Sequence, residues 1–283
     1  MSALINNQPL NTPGAIGVFD SGFGGLTILK SIVEELPQYD YIYLGDNARV
    51  PYGTRSYETV YNYTLECVQH LFDKGCNLVI IACNTASAKA LRTIQQNDLP
   101  KINAHKRVLG VIRPTAEALI NKTQNNNIGI FATNGTVTSN TFPIELHKLN
   151  DGLNVYQQAC TLWVPLIEAN EHNSEGGTYF VQKYYNQLLA QNPSIDTIAL
   201  ACTHYPLLLT QLQKVVAPHI KLIAQGDIVA KSLHEYLQRH PQMQAQCTTQ
   251  GTREFFTTDD VASFNEKASL FYGQNVQSQH LAL

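Results

Sequence analysis

The chain has 283 residues, 44% hydrophobic and 14% charged, with a net charge of −3. That length suits one large domain or two of about 100 to 150 residues each, and no lysine or arginine stripe marks a nucleic-acid or anionic-membrane surface. No apolar run approaches the roughly 20 residues needed to cross a bilayer, and the N-terminal MSALINNQPLNTPG lacks the basic and apolar segments of a secretory leader.

The expected compartment is therefore the cytoplasm, where Cys67, Cys76, Cys83, Cys160, Cys202 and Cys247 stay reduced and form no disulfide framework. No CxxC pair occurs, and only Cys202 and His204 lie close together, so a structural zinc site is not expected.

Short apolar runs alternate with amphipathic stretches along the chain. The pattern predicts a strand over 15–20, a helix over 25–36, a strand over 39–44 and a long helix over 57–74. A strand over 78–82, a helix over 87–96 and a strand over 107–111 follow. Next come a strand over 128–131, a helix over 139–149, a strand over 153–157, a helix over 178–191 and a strand over 197–201. A helix over 206–216, a strand over 221–223 and a helix over 228–238 complete the regular part. Beyond Pro241, TREFFTTDDVASFNEKASLFYG fits one more strand and a last helix, and the final ten residues read as a loose tail. The polar stretches 95–106 and 120–127 lack apolar periodicity and read as surface loops. Buried strands interleaved with helices predict an α/β fold with mainly parallel sheets covered by helices.

The chain also repeats itself. IGVFDSGFGG (16–25) is echoed by IGIFATNGTV (128–137) at an offset of 112, and LVIIACNTAS (78–87) by TIALACTHYP (197–206) at an offset of 119. VPYG (50–53) and VPLI (164–167), at 114, are too short a match to exclude chance. Two related halves are expected: 1–112 with 222–283, carrying Asp20 and Cys83, and 113–221, carrying Cys202 and His204. Ligands of open α/β sheets bind beyond the carboxyl ends of the strands. Asp20-Ser21, Asn84-Thr85, Thr133 with Thr136, and Thr203-His204 all fall at such ends.

If the halves face each other, Cys83 and Cys202 approach one ligand from opposite sides. A thiolate beside a helix N-terminus is favoured by free N–H groups and the dipole. A single such cysteine suits a nucleophile. Two at mirrored positions suit removal of a proton from one face of a carbon and delivery to the other, which is racemisation or epimerisation beside a carboxylate. Asp20 can manage the proton of Cys83. Its counterpart is Ala132, so Cys202 must recruit His204 or Glu168. The surrounding Ser, Thr, Asn and Gly groups suit neutral recognition of carboxylates, and SGFGG can expose backbone N–H groups to an anion. Cys67, Cys76, Cys160 and Cys247 read as packing residues.

DSGFGG (20–25), VPYG (50–53), ACNTAS (82–87) and ACTHYP (201–206) together resemble the glutamate racemases, from about residue 16 to about 273. The resemblance implies two α/β domains enclosing the substrate, neither pyridoxal phosphate nor metal, a homodimer, and supply of D-glutamate for peptidoglycan. It implies that Cys83 and Cys202 are the acid/base pair, Cys83 acting on D-glutamate and Cys202 on the L form. Asp20 would assist Cys83, while His204 and Glu168 attend Cys202. It places substrate contacts at Asp20, Ser21, Pro51, Tyr52, Gly53, Asn84, Thr85, Thr203 and His204, with Thr133 and Thr136 in a turn where Ala132 replaces the family's usual Gly. The stretch GVIRPTAEAL (110–119), with Arg113 and Thr115, falls outside these motifs. Three alternatives remain open: an aspartate racemase or other two-cysteine racemase, a two-lobed amino-acid-binding protein with inert thiols, and a cysteine hydrolase using Cys202 with His204.

Overall fold

The computed structural model describes residues 12–283. All but three residues of the N-terminal segment MSALINNQPLNTPG lie outside them. Strands β1 (Ile16–Asp20), β2 (Tyr41–Gly45), β3 (Leu78–Ile81) and β4 (Arg107–Gly110) join β9 (Arg253–Thr257) and β10 (Ser278–His280) in one parallel sheet, ordered β10-β9-β2-β1-β3-β4. Strands β5 (Asn127–Ala132), β6 (Asn154–Ala159), β7 (Thr197–Ala201) and β8 (Lys221–Ile223) form a second parallel sheet, ordered β6-β5-β7-β8. Both sheets thus contain the same four-strand arrangement, with β1 equivalent to β5 and β3 to β7. That is the repeat seen in the sequence.

The central strands β1, β2, β3 and β7 are buried at every position, as expected of parallel strands covered on both faces. The covering helices of the first sheet are α1 (Gly25–Glu35), α2 (Tyr57–Asp73) and α3 (Asn84–Lys89). Those around the second are α6 (Ile112–Ile120), α7 (Asn134–Ser139), α8 (Thr141–Leu149), α9 (Trp163–Glu168), α10 (Glu175–Gln191) and α11 (Leu209–Val215). After β8 the chain returns through α12 (Gly226–Arg239) and α13 (Pro241–Gln244) to β9, α14 (Val261–Tyr272) and β10. Since β8 hydrogen-bonds to β7, residues 222 and 223 sit in the second sheet.

Local chemistry sets the helix ends. Ser56, Ser174 and Asp260 cap α2, α10 and α14 by accepting the backbone N–H three residues on. Gly273 closes α14 with φ +79°, a left-handed conformation natural to glycine. Trp163 is fully buried and meets Phe131 and Tyr205 edge-on, with ring centres 4.8 Å apart in each case, so α9 and the Cys202 segment pack against β5 as one unit.

Two regions differ from the sequence expectations, and a third, within GVIRPTAEAL, has no element assigned to it there. The stretch 95–106 is not a plain loop: α4 (Leu91–Thr93) runs through a π-turn (Ile94–Asp98) into α5 (Leu99–Ile102), burying Ile94 and Leu99. Its apolar residues are too widely spaced to register as periodic. GVIRPTAEAL forms α6, with Pro114 tolerated in the first turn and Ile112, Thr115, Ala116 and Leu119 on its buried face. The final ten residues include β10, which extends the first sheet beside β9. A three-residue polar strand carries almost no sequence signal, because its stability comes from main-chain pairing. Among the described residues no helix is long and apolar enough to cross a membrane, and all six cysteines are free and buried.

Candidate active site

A cavity of about 350 Å³ lies where the carboxyl ends of the two sheets meet. Cys83 follows β3 and Cys202 follows β7, and both line it. Ser21, Asn84 and Thr85 line it from the first sheet, with Pro51, Tyr52 and Gly53 in the turn after β2. Thr133, Glu168, Thr203 and His204 line it from the second. Asp20 and Thr136 are fully buried and stand directly behind this surface.

The VPYG/VPLI echo also has a spatial counterpart. Both segments follow the second strand of their half, and Val50, Pro51, Val164 and Pro165 all face the cavity. The sequence reading overlooked Val164, Pro165 and Thr161, and it assigned Cys160 to packing alone, although that buried thiol lines the cavity too. The echo was the only available signal, and four residues are too few to carry it.

The two thiols have different surroundings. Cys83 Sγ lies 3.4 Å from Ser21 Oγ and accepts the Ala86 N–H of α3 at 3.4 Å. Burial pushes its thiol up to about 11, the Asp20 charge adds to the rise, and the hydrogen bonds of Ser21 and Ala86 oppose it. Cys202 Sγ lies 4.0 Å from His204 Nδ1, and His204 Nε2 lies 2.9 Å from Glu168 Oε1. An ionised carboxylate can only accept, so the imidazole proton belongs on Nε2 and the Nδ1 lone pair faces the thiol. Burial pushes Cys202 well above the ordinary thiol range, against the His204 backbone N–H. Contrary to the expected symmetry, Cys202 leads into a 3₁₀ turn (Tyr205–Leu208), not directly into an α-helix.

Asp20 accepts the Gly22 N–H at 2.9 Å and the Thr203 hydroxyl at 3.3 Å. Its carboxyl is raised by burial, against the pull of His204 and the Gly22 and Gly25 N–H groups. Asp20 therefore ties the first half to the second and acts on both thiols through its charge. Thr27 Oγ1 donates to the Thr203 carbonyl at 2.9 Å, a second tie across the cleft.

Close approach is what the DSGFGG glycines permit. A Cβ on Gly24 would lie 2.4 Å from His204 Nδ1, and one on Gly25 would lie 2.4 Å from the Asp20 Cβ. Opposite them, the hydroxyls of Thr85, Thr133 and Thr136 form a triangle with sides of 2.9, 3.2 and 3.5 Å. The Pro51–Gly53 wall is held from behind by Asp46, which accepts from the Tyr52 hydroxyl, Arg49 Nε and Thr258 Oγ1.

Among the described residues no group of three His, Cys, Asp or Glu side chains is placed to hold a metal ion. A larger hollow of about 660 Å³ lies between α3, α6, α8 and α12 and contains neither thiol. Arg113 lines that hollow, paired with Glu117 and Glu145, and takes no part in the cysteine cavity.

Fold and cavity together define a two-lobed α/β protein with Cys83 of one lobe and Cys202 of the other, at equivalent strand ends, in a shared cleft that Cys160 also lines. Residues 16–233 match the Asp/Glu/Hydantoin racemase family, and the chain belongs to it. It is 38% identical over 273 residues to a glutamate racemase of Roseobacter denitrificans, an alignment covering 93% of this chain and 98% of that protein. The crystal structure of a glutamate racemase isoform from Bacillus anthracis superposes with a TM-score of 0.86 at 33% identity, covering 95% of this chain and 98% of that one. A glutamate racemase from Francisella tularensis, crystallised with D-glutamate, matches with a TM-score of 0.83 at 32% identity, covering 97% and 98%.

Proposed function

We propose that this chain is a glutamate racemase that interconverts L- and D-glutamate by proton transfer between Cys83 and Cys202. The observation that carries the proposal is the presence of two free thiols, from equivalent strand ends, in the wall of one cavity of about 350 Å³.

In the L-to-D direction, His204 Nδ1 accepts the Cys202 proton and the thiolate removes the α-hydrogen. The Cys83 thiol then protonates the opposite face. The resulting Cys83 thiolate is held by the Ala86 N–H and the Ser21 hydroxyl. The α-hydrogen of an amino acid is a very weak acid, so the raised thiol pKa values make each thiolate a stronger base, although fewer thiols are ionised at neutral pH. Asn84, Thr85 and Thr133 provide neutral side-chain donors for the two substrate carboxylates, while the Thr203 hydroxyl gives its hydrogen to Asp20. The same proposal covers supply of D-glutamate to peptidoglycan in the cytoplasm by a homodimer, and two domains divided near residue 112 and, because 222 and 223 pair in the second sheet, after β8 rather than at 221/222.

The decisive experiment is α-hydrogen exchange in D₂O without added cofactor. Both glutamate enantiomers should exchange and interconvert. Exchange with aspartate but not glutamate would transfer the reaction to that substrate. No exchange with any amino acid would favour a binding protein with inert thiols.

A pH dependence follows from the raised thiols. Between pH 7 and 9, kcat/KM for D-glutamate should rise with pH, by at most about tenfold per unit, because Cys83, the base for that enantiomer, must give its proton to solvent and its ionised form is scarce. A plateau below pH 7 would contradict this. Stability should move the other way. Burial favours the neutral Cys83 thiol, so its contribution is complete below its ordinary value of 9.0 and is lost as pH rises through about 11.

A further inference from the structure

Asn84 lines the cavity, but its carboxamide is turned by a residue that the proposed mechanism does not use. Gln225 follows β8 and immediately precedes α12, and it is 1% exposed. Its side chain makes no cap bond to that helix. It reaches across to the first lobe instead, where the two carboxamides pair reciprocally: Asn84 Nδ2 donates to Gln225 Oε1 at 2.6 Å, and Gln225 Nε2 donates to Asn84 Oδ1 at 3.1 Å.

Such a pair could in principle turn over as a unit and present the opposite edge of Asn84. A third contact opposes this. Gln225 Nε2 also donates to Thr115 Oγ1 at 2.8 Å, so both of its hydrogens are used. The Thr115 hydroxyl gives its only hydrogen to the Val111 carbonyl at 2.6 Å and must accept from Gln225. The polarity of one backbone carbonyl, that of Val111 at the N-cap of α6, is thereby relayed through Thr115 and Gln225 to Asn84. All three side chains are buried, so reversing the relay would leave polar groups unsatisfied out of water.

We propose that Gln225 is a positioning residue for the racemase reaction. Backed by Thr115, it holds the Asn84 carboxamide in the orientation that leaves its remaining Nδ2 hydrogen for a substrate carboxylate. It rests on the substrate contact proposed for Asn84. It also links three separated segments, the β3–α3 turn, α6 and the β8–α12 turn, at the point where the chain returns from the second sheet.

The test is steady-state kinetics with both glutamate enantiomers for Gln225→Leu, Thr115→Val, Asn84→Ala and the Asn84→Ala/Gln225→Leu double variant. Gln225→Leu should raise KM about tenfold with kcat within about threefold, the size expected for losing one oriented hydrogen bond to a charged group. Thr115→Val, which keeps the volume and removes the hydroxyl's bonds to Gln225 and to the Val111 carbonyl, should raise KM about threefold. It carries the test if Gln225→Leu does not fold. The double variant should be no worse than Asn84→Ala alone, because Gln225 acts through Asn84. Losses that multiply in the double variant would overturn the positioning role and leave an ordinary structural one. So would an unchanged KM in Gln225→Leu and Thr115→Val beside a raised KM in Asn84→Ala. An unchanged KM in Asn84→Ala would overturn the substrate contact itself, and the proposal with it.

Discussion

Cys83→Ala and Cys202→Ala should each lower racemisation of both enantiomers by about a thousandfold or more, which is the scale for losing a positioned acid or base. Both enantiomers are affected because, in the proposed mechanism, each thiol acts as base in one direction and as acid in the other. The remaining thiol can still remove and return hydrogen on its own face. In D₂O, Cys83→Ala should therefore retain slow exchange of L-glutamate alone, and Cys202→Ala slow exchange of D-glutamate alone. Both side chains form cavity wall, so melting temperatures should change by only a few degrees. A hydrolase built on Cys202 and His204 would be indifferent to Cys83. Near-normal turnover in either variant would sink the two-base mechanism.

Gly24→Ala should be nearly as damaging, although residue 24 carries no chemistry. The added Cβ would stand 2.3 Å from Thr203 Oγ1 and 2.4 Å from His204 Nδ1, separations that real atoms do not tolerate. Neither neighbour is free to retreat. Thr203 is tied to Asp20 and Thr27, and His204 is tied to Glu168 and stacked edge-on against Phe271 of α14, ring centres 5.1 Å apart. Relief must come from displacing the imidazole or parting the lobes, and either lengthens the 4.0 Å approach of His204 to Cys202. A displacement of about 1 Å costs on the order of a hundredfold in rate, and overpacking of this kind costs about 1 to 3 kcal/mol of stability. Gly176→Ala is the control. Its Cβ would meet only Ser174 Oγ at 3.6 Å, and alanine suits the first turn of α10. That variant should keep full activity. Full activity in Gly24→Ala would show that the closeness of the lobes at this point does not matter.

Among the elements, those read correctly from sequence are the ones whose own residues hold the information. Strands β1, β3, β5 and β7 are short continuous apolar runs, and helices α1, α2, α10 and α12 combine amphipathic spacing with adequate length. Missed or blurred elements draw their stability from elsewhere. Helix α6 hides a regular buried face behind Pro114, α5 is one turn packed by Leu99, and β10 is three polar residues held by main-chain bonds to β9. At the cavity, Cys83, Cys202, Asp20 and His204 are visible because the sequence repeats around them. Gln225 is not, because nothing near it in the chain indicates that it faces Asn84, 141 residues away.

The sequence by itself determined the alternation of strands and helices, the duplication, and the pair of thiols at equivalent strand ends, since each is a local pattern written twice. Only the tertiary structure decided which groups lie around those thiols. It bonded Asp20 to Thr203 with its charge bearing on both thiols, placed the His204–Glu168 pair beside Cys202, and brought Gln225 to Asn84. Those contacts join segments far apart in the chain, and their directions depend on burial, which removes water as a competing partner and makes each hydrogen bond specific.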